Sequence, residues 1–186
     1  MDRPTDHRGK PRRGPPPATP EALARAALAY LERFASSAEN LRRVLMRRVE
    51  RAARGGGIDR AEGAARVDAL IERYRQAGLI DDRAYAEAAA RSLRRRGGSA
   101  RLVRMKLAAK GVDAATAALA LASAAEGDAD SERRAAEAYA RRRRLGPFGP
   151  AAGRRERRMR DLAALARAGF DYDIARAVVD GEAGER

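Results

Sequence analysis

Between Glu21 and Gly146 the chain contains no proline, and alanine recurs throughout that stretch. Proline removes a backbone donor and clashes with the preceding helical turn, so a long run without it permits uninterrupted helices. Alanine has the highest helix propensity of the common residues. No segment alternates apolar and polar residues convincingly enough to read as a strand. The expected fold class is all-α. Aromatic residues make up only 4% of the 186 residues and tryptophan is absent, although 45% are hydrophobic. Side chains this small build thin layers of helix on helix, as in a helical repeat, better than a thick globular core.

Caps and glycines divide the stretch. Thr19 followed by Pro20 starts a helix whose apolar face carries Leu23, Ala27, Tyr30, Leu31 and Phe34. Ser37 starts a second, with Leu41, Val44, Leu45, Val49 and Ala52, ended by Gly55-Gly56-Gly57. Asp59 with Glu62 reads as a capping-box variant before Val67, Leu70, Ile71 and Tyr74. Gly78 is a left-handed stop with Leu79 as its apolar partner. Asp81 then caps the helix of Tyr85, Ala89 and Leu93, which Gly97-Gly98 ends. Ser99 caps the helix of Leu102, Val103 and Leu107, and Asp113 the one through Leu119 and Leu121. Asp130 or Ser131 begins another round with Tyr139, and Pro147 breaks it. Met159, Leu162 and Leu165 follow, then Gly169-Phe170-Asp171, then Ile174 and Val178.

About nine helices in three groups of three result, an elongated, curved array of tandem repeats. The boundaries read 20–80, 81–127 and 128–181. A basic, proline-rich arm over 1–19 and a tail over 182–186 are expected to be disordered, because they cannot bury enough apolar area to offset ordering entropy. Lys110-Gly111-Val112-Asp113 matches Ala168-Gly169-Phe170-Asp171, with Leu107 and Leu165 each four residues before the glycine.

The inventory excludes several kinds of chemistry. There is no cysteine, so disulfides and thiolate sites are ruled out, and the single histidine, His7, lies in the arm. A zinc site or a histidine-based triad has no material. Asp81-Asp82 follows a helix stop and precedes a helix, so capping explains it better than catalysis or metal binding. Gly55-Gly56-Gly57 lacks the Lys-Ser/Thr of a phosphate loop. The expectation is a non-enzymatic protein without cofactor or metal. No apolar run is long enough to span a membrane, and the first residues lack the apolar centre of a signal peptide, so a soluble, cytoplasmic monomer is expected.

Charge is the positive signal. Lys and Arg number 40 against 26 Asp and Glu, a net charge of +14, and only Lys10, Lys106 and Lys110 are lysines. Such an excess favours polyanions or an acidic protein surface. On an ideal helix Arg43, Arg47, Arg51 and Arg54 fall within about 80° of one another, opposite the apolar set. Arg94, Arg95 and Arg96 end one helix, and Arg101, Arg104 and Lys106 lie on the next, before Lys110. Arg141, Arg142, Arg143 and Arg144 form a run of four, and Arg154, Arg155, Arg157, Arg158 and Arg160 crowd another helix. Like charges so close destabilise an isolated helix, and an anionic partner would relieve them. Tyr30, Tyr74, Tyr85 and Tyr139 sit at core-facing positions, so base stacking is not expected. Phe148, between two Gly-Pro pairs, is placed either for exposure or as a plug between repeats.

Gly78-Leu79-Ile80-Asp81-Asp82, Tyr85-Ala86-Glu87, Arg95-Arg96-Gly97-Gly98-Ser99 and Leu107-Ala108-Ala109-Lys110-Gly111 together resemble the RecX family of recombinase regulators. Arg141 to Phe148 and Asp161 to Phe170 resemble its alphaproteobacterial branch. The likeness runs from about Pro20 to Val179. It implies tandem three-helix repeats and a protein that binds RecA in the groove of the RecA–single-stranded DNA filament. It also implies restraint of filament growth, ATP hydrolysis and strand exchange, with a role in recombination and the SOS response. Where the family often has a Lys-Gly turn in the first repeat, this chain runs on through Arg47-Arg48 to Arg54 and the three glycines. The contact candidates are Arg43, Arg47, Arg51, Arg94, Arg95, Arg96, Arg101, Arg104, Lys110, Arg141, Arg142, Arg143, Arg144, Arg154, Arg157 and Arg158. Two other classes fit the charge: a free-standing nucleic-acid binder, for example of helix-turn-helix type, and a helical adaptor for another acidic protein.

Overall fold

A computed structural model describes residues 17–125 and 128–181. Most of the basic arm, including His7, and the tail from 182 lie outside the described residues. Among those described there are nine α-helices, one short 3-10 turn and no strand. The chain forms two compact units. One takes residues up to Phe34 together with Leu41–Ala77, and the other takes Ala35–Asn40 and Gly78 onward.

The first unit holds α1 (Pro20–Leu31), most of α2 (Ala38–Arg54) and α3 (Arg60–Gln76). Its buried apolar residues include Leu23, Ala27, Leu41, Leu45, Val49, Ala52, Val67, Leu70, Ile71 and Tyr74. The caps are those expected from sequence: Thr19 accepts from the Ala22 amide, and Asp59 from those of Ala61 and Glu62. The Glu62 carboxylate turns to Arg66 one turn on. Gly63 sits so close to α2 that a Cβ there would meet Val49 Cγ1 at 2.3 Å. The Tyr74 hydroxyl donates to the Ala24 carbonyl at 3.3 Å, joining α3 to α1.

In the second unit α4 (Asp82–Arg95), α5 (Ala100–Ala109) and α6 (Ala114–Ala124) enclose one core. Its members are Ala86, Ala90, Val103, Leu107, Val112, Ala117, Ala120 and Leu121. A second core lies among α7 (Ser131–Arg143), α8 (Arg154–Arg167) and α9 (Tyr172–Asp180), built on Ala135, Ala136, Ala140, Leu162, Leu165, Phe170, Ala175, Val178 and Val179. Alanines supply a large share of both, and they let the helix backbones come close.

Two hydrogen-bond patterns recur in this unit. Gly111 and Gly169 are both left-handed, at φ 77° and 92°. The Val112 amide reaches the Leu107 carbonyl at 3.1 Å, and the Phe170 amide reaches the Leu165 carbonyl at 3.2 Å. Each is the six-to-one bond of a Schellman stop, with its apolar residue buried beyond it. The second pattern is a joint. Ser99 is fully buried, caps α5 by accepting from Leu102, and donates its hydroxyl to the Ala168 carbonyl at 2.7 Å. The next amide, Ala100, donates to the Glu132 carboxylate at 3.1 Å. Within the same unit Ser37 repeats every step. It is buried, accepts from the Asn40 amide and donates to the Lys110 carbonyl, while the Ala38 amide donates to Asp82 Oδ1 at 2.7 Å. Each carbonyl used lies immediately before a left-handed glycine.

Four expected core positions differ. α1 ends at Leu31, so Phe34 lies off the helix, 51% exposed and against the Tyr30 ring. Leu79 is 52% exposed, and Ile80, one residue further from the left-handed Gly78, is buried in its place. Leu119 and Met159 lie on helices as expected but face outward, because neighbouring helices cover only the stripe next to them. Of the four tyrosines read as core, Tyr74 is buried and the other three are half-buried. Phe148 is half-buried against the α7–α9 core.

Candidate cationic interface

The arginines that dominate the charge have three different fates. On α2 the face carrying Arg43, Arg47 and Arg51 is exposed while Leu41, Leu45, Val49 and Ala52 are buried opposite. The helix period forces this split: apolar residues at spacings of three and four claim one side, and the arginines take the other. Arg48, off the stripe, donates to the Pro17 carbonyl at 2.9 Å.

A second set of the expected contact residues is engaged within the fold. Arg94, expected as a surface contact, is only 9% exposed. Its guanidinium meets Glu132 at 2.5 Å, Ser131 Oγ at 2.7 Å and the Gly98 carbonyl at 3.1 Å. It therefore ties the end of α4 to the start of α7, and no buried side-chain polar atom among the described residues lacks a partner. Arg154 is half-buried and closes α9 by donating to the Val179 and Gly181 carbonyls. Arg157 donates to the Ala152 and Pro150 carbonyls and ties down the loop before its own helix. Arg158 forms a two-pronged pair with Asp180, both arms at 2.7 Å. That hydrogen-bonded pairing lowers the Asp180 carboxyl below its ordinary range and raises the Arg158 guanidinium above its own. All four of these arginines have partners within the protein.

The third set is exposed. Arg95, Arg96, Arg101, Arg104, Lys110 and Arg141 to Arg144 are all exposed. Arg96 and Lys110 come together with Lys106 around a groove of about 330 Å³ over Tyr85, Leu93 and Leu107. The Lys110 ammonium also lies 3.3 Å from Asn40 Oδ1. Arg141 stacks over the Phe148 ring at 4.8 Å, and Arg142 and Arg143 lie over Tyr139 at 5.8 and 5.9 Å. Arg143 and Arg144 join Arg160 and Arg167 around a larger groove. Arg160 and Arg167 were not among the contact candidates. Their signal was available, since Arg160, Ala164 and Arg167 are spaced to share one face of α8.

Among the described residues no group of three His, Cys, Asp or Glu side chains is placed to hold a metal. Asp81 accepts from the Ala84 amide at 2.9 Å and Asp82 from Ala38, so the acidic pair is engaged in capping and in the joint. No helix there is long and apolar enough to cross a membrane.

Comparison with known proteins fits this arrangement. The family model of the second three-helix domain of RecX matches residues 81–121. The Regulatory protein RecX of Myxococcus xanthus is 46% identical over 163 residues, covering 87% of this chain and 86% of that protein. The chain belongs to the RecX family. A second RecX, from Agrobacterium fabrum, is 36% identical over 102 residues, 54% of this chain and 51% of that protein. Identity and coverage are both higher with the Myxococcus RecX, so the expected alphaproteobacterial branch is not supported. No solved structure matches the chain significantly. In RecX terms the matched domain is α4 to α6, and its Gly97, Ser99 and Gly111 are the residues that form the stop and the joint.

Proposed function

We propose that this chain binds the RecA recombinase on its single-stranded DNA filament and restrains filament extension, ATP hydrolysis and strand exchange. The observation that carries the reading is the 46% identity, over most of both chains, to a protein named Regulatory protein RecX. The chemistry supports it. A filament of protein and nucleic acid offers carboxylates and phosphates side by side, and arginine forks suit both. The contact set is Arg43, Arg47, Arg51, Arg95, Arg96, Arg101, Arg104, Lys110 and Arg141 to Arg144. The chain acts as a cytoplasmic monomer without cofactor, through three helical repeats bounded at 20–80, 81–127 and 128–181.

The test is a titration of the full chain into RecA with single-stranded DNA while ATP hydrolysis is followed. Loss of hydrolysis at substoichiometric amounts is the expected result. Unchanged hydrolysis, with binding to naked DNA that falls steeply as salt rises, would instead identify a free-standing nucleic-acid binder.

A further inference from the structure

A groove of about 580 Å³ opens in the second unit between α7 and α8, with Leu102 of α5 beside it. Arg143, Arg144, Arg160 and Arg167 are its exposed residues. Leu102, Tyr139 and Leu145, with Ala164 and Ala168, are half-buried and form an apolar floor. The single carboxylate in the lining, Asp161, is buried, accepts the Gly146 amide at 2.9 Å and lies 3.9 Å from Arg160. The rim keeps a clear positive excess.

The backbone marks one of these arginines. α2, α3, α4, α5 and α8 each close with a glycine in the left-handed region: Gly56, Gly78, Gly97, Gly111 and Gly169. α7 closes in the same region with Arg144, at φ 55° and ψ 47°. It is the one non-glycine residue at positive φ among those described. The stop itself is the ordinary one, since the Leu145 amide reaches the Ala140 carbonyl at 2.9 Å just as the Gly98 amide reaches Leu93. Glycine would make this turn with less strain. The Arg144 side chain is exposed, with no hydrogen bond or ion pair to another side chain among the described residues. Strain kept at a residue whose side chain points to no internal partner is the mark of a binding position.

The floor selects the occupant. An aliphatic floor contributes only when apolar surface is buried against it, and a phosphodiester brings none. Base stacking needs an open ring, and Tyr139 is already in contact with two guanidinium groups and tilted against Phe170 at 6.0 Å. An apolar centre inside an arginine rim is the layout of a protein-binding patch. We infer that this groove docks an acidic protein segment that places an aliphatic side chain between its carboxylates. The inference rests on the regulatory reading for the identity of the partner, and on the groove alone for its chemistry.

The experiment uses the full chain and fluorescence anisotropy with no recombinase present. Three labelled probes are compared: Glu-Glu-Leu-Glu-Glu, the same peptide with Ala for Leu, and an oligothymidine of equal charge. The Leu peptide is expected to bind several-fold more tightly than the Ala peptide. The double variant Arg160→Gln with Arg167→Gln is expected to weaken the Leu peptide by about tenfold, while oligothymidine affinity changes by less than about twofold. Arg144→Gly is expected to raise the melting temperature and weaken the Leu peptide, which separates lost binding from lost folding. Equal affinity for the two peptides, or a larger loss for oligothymidine, overturns the assignment, as does Arg144→Gly binding the peptide like the native chain. If the double variant loses the peptide yet still inhibits RecA fully, the groove's role fails and the regulatory reading stands. If the native chain binds the peptide but leaves RecA unaffected, the groove stands and that reading fails.

Discussion

The α4–α6 and α7–α9 groups share one hydrogen-bonded frame and use it differently. Both first helices end in a left-handed stop, at Gly97 and at Arg144. At Gly97 the backbone of α7 comes so near that a Cβ would stand 2.5 Å from the Tyr139 amide nitrogen. At Arg144 the residue is open to solvent on the rim of a groove. Where helices must touch, the chain has glycine. Where the same turn faces outward, it carries a cation at the cost of local strain. A further contrast follows each stop. α5 starts directly at Ser99, while α8 comes only after a 3-10 turn and a loop tied down by Arg157, with Arg154 and Arg158 fastening α8 to the end of α9.

The contrast is open to direct attack. Gly97→Ala should have the largest effect, since it combines a backbone clash with a positive φ, and a loss of more than about 3 kcal/mol is expected in urea unfolding. A loss near that of an ordinary surface change would mean that the close approach of α4 and α7 is not what holds them. Ser99→Ala removes both a cap and the bond to Ala168, and should cost about 1–3 kcal/mol. Ser37→Ala should match it, because its bonds are the same in kind. Very different values for the two serines would break the equivalence of the joints.

The smallest effect expected is one of pH. The Asp180 carboxyl is held low in the folded chain by its bond to Arg158. The pair's contribution is therefore present at neutral pH, above the ordinary aspartate range, and fades as acid brings the pH down through the folded value. Both partners are more than a third exposed, so water screens much of it. Asp180→Asn should flatten part of the acid limb of the melting curve and leave the neutral melting temperature almost unchanged. An undiminished acid limb would show that the pair adds nothing.

What the sequence made legible was local. Thr19, Asp59, Asp81, Ser99 and Asp113 all cap the helices they were expected to cap, because a cap needs only the next three amides. The apolar and cationic faces of α2 followed from helical period alone. The matched Gly-apolar-Asp segments did reappear as matched stops. Distant partners were hidden. Arg94 read as one more surface cation because Glu132 is 38 residues away. The Ser99 bond to Ala168 and the Ala38 bond to Asp82 were equally invisible, and Phe34 and Met159 were misplaced because period alone does not say how much of a face its neighbours cover. Arg144 also looked like any member of a basic run, since only the backbone reveals that a glycine position is occupied.

The most direct measurement compares RecA ATP hydrolysis on single-stranded DNA under titration with the native chain and with a variant in which Arg141, Arg142, Arg143 and Arg144 are all alanine. Circular dichroism of the variant should show native helix content. The account predicts that the native chain suppresses hydrolysis at substoichiometric amounts and that the variant does not. Full suppression by a folded variant would contradict it.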